Sequence, residues 1–374
     1  MNKLVFGNLI HRPLRSVISA FAVAIEVVMI LSIAAIMYGI LNGSRTQNAG
    51  IGGDMIVHAG ASSVLLNTSS AATDVRIAPI VSKLPHVVVV SPTYINFNAG
   101  AQIENVFGID YASYNALRPF HFLAGGPFQH PHDMIIDDLQ AAAGKGLHVG
   151  DEILYKEIKF TVCGIVDHGK GARKFIPLDT MMNLTGSTNK VTAFYIRTED
   201  APTAEAKRAI QNEVRKEILA TDGLQDWTVQ TMEEFLALVT PEHLPGFNIA
   251  LRVVIGIAII IGFMVIFQSM YTAVMERTRE IGILKSMGAG KGTIVSVVLR
   301  ETGLLASIGV ILGVAATYAL RSLMHSLYPT MSFSVTPEWV ARGVVIALAG
   351  ALLGALYPAL KAARKDPIDA LSYE

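Results

Sequence analysis

Four long apolar stretches dominate the pattern of hydrophobic and polar positions, and segments of mixed polarity separate them. A bilayer core of about 30 Å needs roughly 20 mostly apolar residues in a helix, because hydrocarbon offers backbone polar groups no other partner. The stretches therefore predict four transmembrane helices, at residues 17–41, 249–275, 294–322 and 338–360. The first could instead be a secretory signal peptide, but its apolar run is long and no small-x-small cleavage motif follows it. We expect a retained helix.

Basic residues flank one side of these helices and are sparse on the other. They are Lys3, Arg12, Arg15, Arg277, Arg279, Lys285, Lys291, Lys361, Arg364 and Lys365. The positive-inside rule therefore predicts that the basic side is cytoplasmic. The predicted cytoplasmic segments are residues 1–16, 276–293 and 361–374, so both termini are cytoplasmic. Residues 42–248 and the short loop 323–337 are predicted to lie outside.

The segment 42–248 is long enough to bury a core of its own. Its alternating apolar positions predict strands, and the period of residues 204–219 predicts a helix. The predicted strands are residues 87–90, 105–109, 152–155, 159–165 and 192–196. The fold class predicted is thus a membrane protein with four transmembrane α-helices and an α+β extracytoplasmic domain.

Composition agrees with a membrane protein, since 52% of the 374 residues are hydrophobic and 16% are charged. The formal net charge is zero, so no basic field attracts nucleic acid, and we expect no nucleic-acid partner. The single cysteine, Cys163, has no companions at metal-ligand spacing and is interpreted as a buried structural residue.

No catalytic set is recognisable in the predicted external segment. His130, His132 and Asp133 are close in sequence, but the intervening Pro131 favours a solvated turn over a metal site. The sequence shows no nucleophile paired with a base and no other recognisable pair of catalytic residues. We therefore expect a non-catalytic chain that binds no metal or cofactor itself.

The segment after the second predicted helix, residues 276–289 (ERTREIGILKSMGA), carries more information. As a helix it would be charged on one side and apolar on the other, through Ile281, Ile283, Leu284 and Met287. The residues alone leave two readings open: a helix on the membrane surface that docks another protein, or a solvated connecting loop. The glycines that follow do not form a Walker A loop, because Lys285 and Gly292 stand where that motif needs glycine and Ser or Thr.

Three stretches carry a family resemblance: residues 8–16 (NLIHRPLRS), residues 276–289, and residues 357–371 (YPALKAARKDPIDAL). They resemble the FtsX-like permeases of ABC transporters, which include the MacB-type exporters and the lipoprotein-releasing LolC and LolE subunits. Shorter pieces at residues 149–151, 162–166 and 176–178 are similar to the MacB-type periplasmic core.

The resemblance implies a subunit of the bacterial inner membrane that works as a dimer, with a second copy or a homologous permease. It implies an ABC ATPase partner that holds the ATP and Mg, and membrane lipid and a periplasmic adaptor as further partners. The ATPase-coupling residues would be Glu276, Arg277, Thr278, Arg279, Glu280, Ile281, Gly282 and Lys285. ATP-driven closure would then be transmitted mechanically to the external domain, for export or for extraction of a substrate from the outer leaflet. The alternative is a signalling subunit that activates an external partner such as a cell-wall hydrolase.

A few residues within the predicted spans are also candidates for function. Glu26 lies near the bilayer middle, where a carboxylate is costly, and could contact substrate, act as a switch at a dimer seam, or hydrogen-bond to a neighbouring helix. Glu301 is interpreted as a structural tie near the cytoplasmic face. Two small-xxx-small pairs predict close helix packing, within one chain rather than between copies: Gly309 with Gly313, and Gly350 with Gly354.

Overall fold

The computed structural model describes residues 13–60, 72–99, 103–144, 146–238 and 247–365. The chain divides into two compact units. The helical unit comprises Met1–Ile40, Pro245–Ser326 and Ser332–Glu374, and the sheet unit comprises Leu41–Leu244 and Leu327–Met331. Residues 8–12 and 366–371, which carry part of the sequence resemblance, lie outside the described residues.

The elements are numbered in chain order. The α-helices are α1 (Pro13–Ala49), α2 (Ala78–Val81), α3 (Tyr111–Leu117), α4 (Asp138–Ala141), α5 (Leu178–Thr185), α6 (Ala204–Ala220), α7 (Met232–Leu238), α8 (Phe247–Glu276), α9 (Thr278–Ser286), α10 (Lys291–Leu327) and α11 (Pro337–Arg364). The strands are β1 (Met55–His58), β2 (Thr73–Asp74), β3 (Val87–Ala99), β4 (Ile103–Ile109), β5 (Phe122–Gly125), β6 (Asp133–Asp137), β7 (Glu152–Tyr155), β8 (Ile158–Val166), β9 (Lys174–Pro177), β10 (Lys190–Val191), β11 (Ala193–Thr198) and β12 (Thr228–Thr231).

Within the described residues, four helices are long and apolar enough to cross a membrane. These stretches are Ser16–Ala49, Ile249–Glu276, Lys291–Leu327 and Pro337–Arg364, which confirms the four-helix prediction. Helix α1 continues to Ala49, well past the predicted end of its apolar run at residue 41. A helix satisfies its backbone hydrogen bonds internally, so it can continue into water after the apolar residues end.

Small residues bring the four long helices together. A Cβ added to Gly309 would meet Val23 of α1 at 2.7 Å, and one added to Gly313 would meet Val27 at the same distance. Such close approach supplies the van der Waals contact that holds helices together where lipid replaces water. A Cβ added to Gly354 would lie 2.9 Å from the carbonyl oxygen of Phe263 in α8.

The sheet unit is built on one mixed sheet and a small two-stranded ribbon. Among the described residues the sheet has ten strands, in the order β12-β1-β11-β3-β4-β9-β6-β8-β5, with β7 paired to β8. The pairs β4–β9 and β6–β8 are parallel, and the other pairs described are antiparallel. The strands predicted from alternation are all found, within longer elements in several cases, and α6 confirms the predicted helix.

Apolar clusters cover both faces of this sheet, so the strand β1 is buried along its whole length. An aromatic cluster lies on one side and includes Phe107, Tyr114, Phe120, Phe175 and Tyr195. On the other side, α2, α5 and α6 contribute Val81, Met182, Val214 and Ile218 to a second cluster. The predicted α+β fold class is confirmed.

Candidate functional site

The segment that follows the second long helix forms the short helix α9. Gly288 ends this helix, because its φ of 94° lies in the left-handed region that glycine adopts without strain. Its backbone N–H donates to the carbonyl of Lys285 at 3.0 Å. The glycines that resembled a phosphate-binding loop therefore include the stop signal of a helix.

A buried ion pair ties the start of this segment to α10. The guanidinium of Arg277 lies 3.1 Å from the carboxylate of Glu301, and their side chains are only 11% and 7% exposed. Removing one partner of a buried ion pair leaves the other charge buried without its counter-ion, which is strongly destabilising. The pair therefore fixes the position of this segment against α10. Glu301 makes the structural tie that was expected of it, with a partner 24 residues away that sequence spacing did not indicate.

A second tie joins the end of α9 to the end of α11. The ammonium of Lys285 donates to the carbonyl oxygens of Ala363 at 3.0 Å and Lys365 at 2.5 Å. The last carbonyls of a helix have no hydrogen-bond partner within the helix, and they form the negative end of the helix dipole. A lysine ammonium at this end donates hydrogen bonds to these carbonyls and places a positive charge against the dipole. Lys285, on α9, therefore caps the C-terminal end of α11.

The apolar residues of α9 do not share one side, which corrects the sequence-based interpretation. Ile281 packs inward against Val274 and Ile294, whereas Ile283 and Met287 are 43% and 71% exposed. The physical reason is the helical period: residues 281 and 283 are two positions, about 200°, apart. Leu284 lines a groove of about 230 Å³ between α8, α9 and α10.

The outward surface of α9 is mixed in character. Arg279 and Glu280 are exposed beside Ile283 and Met287, and Glu276 is exposed just before the helix. Thr278 and Gly282 are buried on the inward side. Of the proposed coupling residues, the structure thus turns some outward and uses others to attach the helix to the bundle.

Glu26 is the buried carboxylate of the helical unit. Its residue is 3% exposed, and neither side-chain oxygen has a hydrogen-bond partner among the described residues. It faces Gly262 of α8, where an added Cβ would overlap the carboxylate, and Gly350 of α11, where an added Cβ would lie 3.7 Å away. The hydrogen bond to a neighbouring helix, one of the three interpretations of Glu26, is therefore not formed among the described residues, because the two glycines offer no polar side chain, and the other two interpretations stay predictions.

In the sheet unit, the loop of residues 167–173 contacts the end of the first long helix. The backbone N–H of Gly50 donates to the carbonyl of Gly169 at 2.8 Å, and that of Gly171 donates to the carbonyl of Gln47 at 2.6 Å. A Cβ added to Gly50 would lie 2.5 Å from the same Gly169 oxygen, so glycine is required for this approach. The side chain of Lys170 points inward and donates to the carbonyl of Arg118 at 2.6 Å.

The same loop also holds the connection between the third and fourth long helices. Arg173 donates to the carbonyl of Thr330 at 3.0 Å and forms an ion pair with Asp137 at 3.2 Å. Burial raises the pKa of Asp137 to about 6, an effect that the nearby guanidinium partly offsets. Nothing near Asp137 in the chain signals this partner, which lies 36 residues away.

The histidines singled out in sequence do not form a metal centre. Asp133 instead accepts backbone hydrogen bonds from Gln129 at 2.6 Å and His130 at 2.8 Å, which stabilises a turn. Within the described ranges, no three His, Cys, Asp or Glu side chains are placed to hold a metal ion. Cys163 is half-buried, and burial raises the pKa of its thiol to about 12.

Comparison with known families identifies both parts of the chain. Residues 16–213 match the MacB-like periplasmic core domain, and residues 252–367 match the FtsX-like permease C-terminal domain. The chain belongs to the MacB-type, FtsX-like permeases of ABC transporters. As a member of this family it is a multi-pass membrane protein with a periplasmic-type α/β domain, which confirms the family resemblance.

Relatives of this permease include two proteins whose names describe macrolide export ATP-binding/permease proteins MacB. That of Chromobacterium violaceum is 32% identical over 62% of this chain and 36% of the relative, and that of an Azoarcus species is 30% identical over 60% and 35%. An uncharacterised ABC transporter permease of Methanocaldococcus jannaschii is 26% identical over 61% of this chain and 58% of the relative. The matched part of the chain thus spans about a third of the MacB relatives' length.

A crystal structure of the periplasmic region of MacB from Actinobacillus actinomycetemcomitans aligns with 50% of this permease and 92% of that chain. The identity is 14% and the TM-score 0.39.

Proposed function

We propose that this permease couples ATP hydrolysis by a separate ABC ATPase to mechanical work on the other side of the membrane. That work would be export, or extraction of a substrate from the outer leaflet. The observation that carries the proposal is that the two sides of α9 differ. Its inner side is attached to two long helices, and its outer side exposes charged and apolar residues together.

The contacts that attach α9 to the long helices would let it transmit motion to them. A helix joined to its neighbours by a buried ion pair and by a capped helix end moves with them rather than sliding over them. Motion imposed on α9 would therefore pass through Arg277 and Glu301 to α10, and through Lys285 to α11. ATP and Mg would be held by the partner ATPase, and none of the steps assigned to this chain is chemical.

The sheet unit offers a receiver for that motion. Helix α1 continues without interruption to Ala49, and the loop 167–173 bonds to its last turn and to Thr330. Displacement of α1 or of the connection after α10 would thus act on one loop, which leads directly into strand β9. This supports mechanical transmission to the external domain in preference to a channel through the bundle.

The wider arrangement follows from the same proposal. The α9 side and both termini would be cytoplasmic, the protein would lie in the bacterial inner membrane, and two permease chains would pair with two ATPase subunits. A periplasmic adaptor is a further candidate partner. The names of the MacB relatives refer to macrolide export.

The signalling alternative uses the same α9 and differs only in what the external domain acts on. It predicts a stable complex between residues 42–248 of the full-length protein and an external enzyme, with no flux of substrate. Transport assays on proteoliposomes and affinity capture through the full chain distinguish the two.

Docking of an ATPase is tested by changing the exposed apolar residues of α9. The full-length tagged chain is purified from membranes, and the co-purifying ABC ATPase is quantified by mass spectrometry. Met287→Asp should reduce its recovery, because a carboxylate in the contact would be desolvated without a partner. Leu154→Asp, at a residue of the sheet unit with equal exposure (70% against 71%), is the matched control and should have no effect. Equal recovery for both variants would refute docking on α9.

A further inference from the structure

An aromatic groove with one lysine lies between α8 and α11, on the lipid-facing side of the helical unit. Phe267, Tyr271, Tyr357 and Lys361 line it, and its volume is about 400 Å³. The ring of Phe267 stacks on that of Tyr271 with centres 6.0 Å apart, and the ring of Tyr357 is tilted against it with centres 5.8 Å apart. The groove is thus a rigid-walled surface feature built from two helices.

Lys361 is held at the rim of this groove with its charge exposed. Its ammonium donates to the hydroxyl of Tyr271 at 2.9 Å and lies 4.7 Å from the centre of that ring. Neither contact neutralises the charge, and within the described part of the chain no ion pair includes Lys361. An ammonium has three donors, so hydrogen bonds to a further acceptor are still available.

The predicted spans place the groove near the membrane surface, because Lys361 directly follows residues 338–360 and Tyr271 lies near the end of residues 249–275. Lys361 is three residues before Arg364, where α11 ends, and Tyr271 is five residues before Glu276, where α8 ends. At 1.5 Å per residue these positions are about 5 and 8 Å from the helix ends. The head-group region of a bilayer is about 5–8 Å thick on each side, so the ammonium meets phosphate while the rings meet the first acyl carbons.

The opposite end of α11 provides an internal comparison. There the guanidinium of Arg342 lies 5.2 Å from the ring of Trp339, a similar pairing of cation and aromatic ring. Arg342 also forms an ion pair with Glu338 at 2.5 Å, so its charge is neutralised within the protein. Among the described residues, the end that carries Lys361 therefore differs by a lysine that has no ion pair and lies beside a groove.

We propose that this groove binds an anionic phospholipid, with the phosphate on Lys361 and the upper acyl chain along Phe267 and Tyr357. The charge favours an anionic head group over a zwitterionic one, and the aromatic walls favour a lipid over a free phosphate. A basic residue between transmembrane helices at the membrane surface is the arrangement that recognises such head groups. The proposal does not depend on an ATPase or on transport.

The test uses the full-length chain in mild detergent, with binding measured by native mass spectrometry. The probes are dioctanoyl phosphatidylglycerol, dioctanoyl phosphatidylcholine and glycerol 3-phosphate. One charge near a membrane surface corresponds to roughly five-fold in affinity. Lys361→Gln should therefore weaken phosphatidylglycerol binding about five-fold and phosphatidylcholine binding less, because the choline charge offsets that of its phosphate. Glycerol 3-phosphate should bind more weakly than phosphatidylglycerol.

Two further variants separate charge from folding. Lys361→Arg keeps the charge and should retain phosphatidylglycerol affinity within about two-fold, and Arg342→Gln is the matched control at the opposite end. Loss of affinity in Lys361→Arg or in Arg342→Gln would overturn the proposal, as would unchanged binding in Lys361→Gln. Equal binding of glycerol 3-phosphate would also overturn it. A shift in the monomer–dimer balance of Lys361→Gln with unchanged lipid affinity would assign the groove to a second copy of the chain instead.

Discussion

Arg173 of the loop 167–173 is the residue whose replacement tests the sheet unit most sharply. Its guanidinium has two partners, the Asp137 carboxylate at 3.2 Å and the carbonyl of Thr330 at 3.0 Å. The side chain of Asp137 is only 1% exposed. Arg173→Met keeps much of the apolar stem and removes the charge, so it leaves a buried carboxylate without its counter-ion.

The magnitude depends on pH in a way that the structure specifies. The pKa of Asp137 is raised from 3.8 to about 6 by burial, which corresponds to about 3 kcal/mol. Because the folded pKa lies above the unfolded one, the stability contributed by this group is fully present below about pH 4. It is lost as pH rises through about 6.

Removing Arg173 takes away the charge that opposes the effect of burial, so the folded pKa of Asp137 should rise further. The loss of stability relative to the parent should therefore be small at pH 5, where Asp137 is mostly neutral in both proteins. About 1 kcal/mol is expected there, for the lost hydrogen bond to Thr330. At pH 8 the loss should reach about 3–5 kcal/mol, as for a broken buried ion pair.

Trp227 provides the assay, because it stacks on Phe194 in the core of the sheet unit. Urea unfolding of the full-length chain is followed by the fluorescence of Trp227. The sequence has two tryptophans, so the measurement is made in a Trp339→Phe background that leaves Trp227 alone. The double variant Arg173→Met with Asp137→Asn should recover most of the stability at pH 8, since no charge is left buried. Asparagine can still accept the hydrogen bond that Gln140 donates to residue 137.

The matched control is Arg197→Met, which breaks an ion pair with Asp200 whose side chains are 37% and 83% exposed. Exposed pairs contribute about 0–1 kcal/mol, so this variant should lose little at either pH. A loss in Arg173→Met that is equal at pH 5 and pH 8, or no larger than that of Arg197→Met, would refute the reasoning.

Three other predictions concern the rest of the chain. Gly262→Ala should destabilise the helical unit by about 1–3 kcal/mol in detergent, because its Cβ would overlap the Glu26 carboxylate, whereas Gly256→Ala on the same helix meets open space and should be neutral. Glu301→Gln should destabilise the helical unit by about 3 kcal/mol in detergent, because it removes the carboxylate of the buried ion pair with Arg277, and an unchanged unfolding midpoint followed by Trp339 fluorescence would contradict the tie. The pKa of Cys163, raised to about 12 by burial, should make maleimide labelling at neutral pH roughly a thousand-fold slower than for an exposed thiol, and equal rates with and without denaturant would contradict this.

Sequence pattern predicted the elements well where their periods are local. The four long helices and the strands of the sheet unit follow from runs of apolar residues and from alternation, which depend on neighbours in the chain. The order of strands was not predictable in this way. β9 lies between β4 and β6 and pairs parallel with one and antiparallel with the other, an arrangement set by packing between distant segments.

The candidate site shows the same division. The residues 276–289 left a short helix and a connecting loop open, and the structure forms the helix with its apolar residues on more than one side, ended by the local signal of Gly288. The partners that attach the helix lie far along the chain: Glu301 for Arg277, and the carbonyls of Ala363 and Lys365 for Lys285. Such pairs depend on how the long helices pack, so composition and spacing contain no signal for them.

The surroundings of Glu26 could not be predicted from the sequence. Its charge within an apolar run marked it as unusual, and the sequence left open a substrate contact, a switch at a dimer seam or a hydrogen bond to a neighbouring helix. Two glycines, Gly262 and Gly350, lie next to the carboxylate, and among the described residues neither of its oxygens has a hydrogen-bond partner. Whether a glycine in a helix serves packing or leaves room for a side chain is decided by the facing helix, which the local sequence does not specify.

The central claim, that α9 couples this permease to an ATPase, is tested most directly by ATP hydrolysis in the reconstituted complex. The full-length chain and its co-purified ABC ATPase are placed in proteoliposomes, with Arg279→Ala and Glu280→Ala combined in one variant and Lys291→Ala as the control. Assembly is checked by size-exclusion chromatography, so that lost coupling is distinguished from lost binding. We predict that hydrolysis dependent on the permease falls roughly ten-fold in the α9 variant and is unchanged in the control. Full hydrolysis by an intact α9-variant complex would contradict the account.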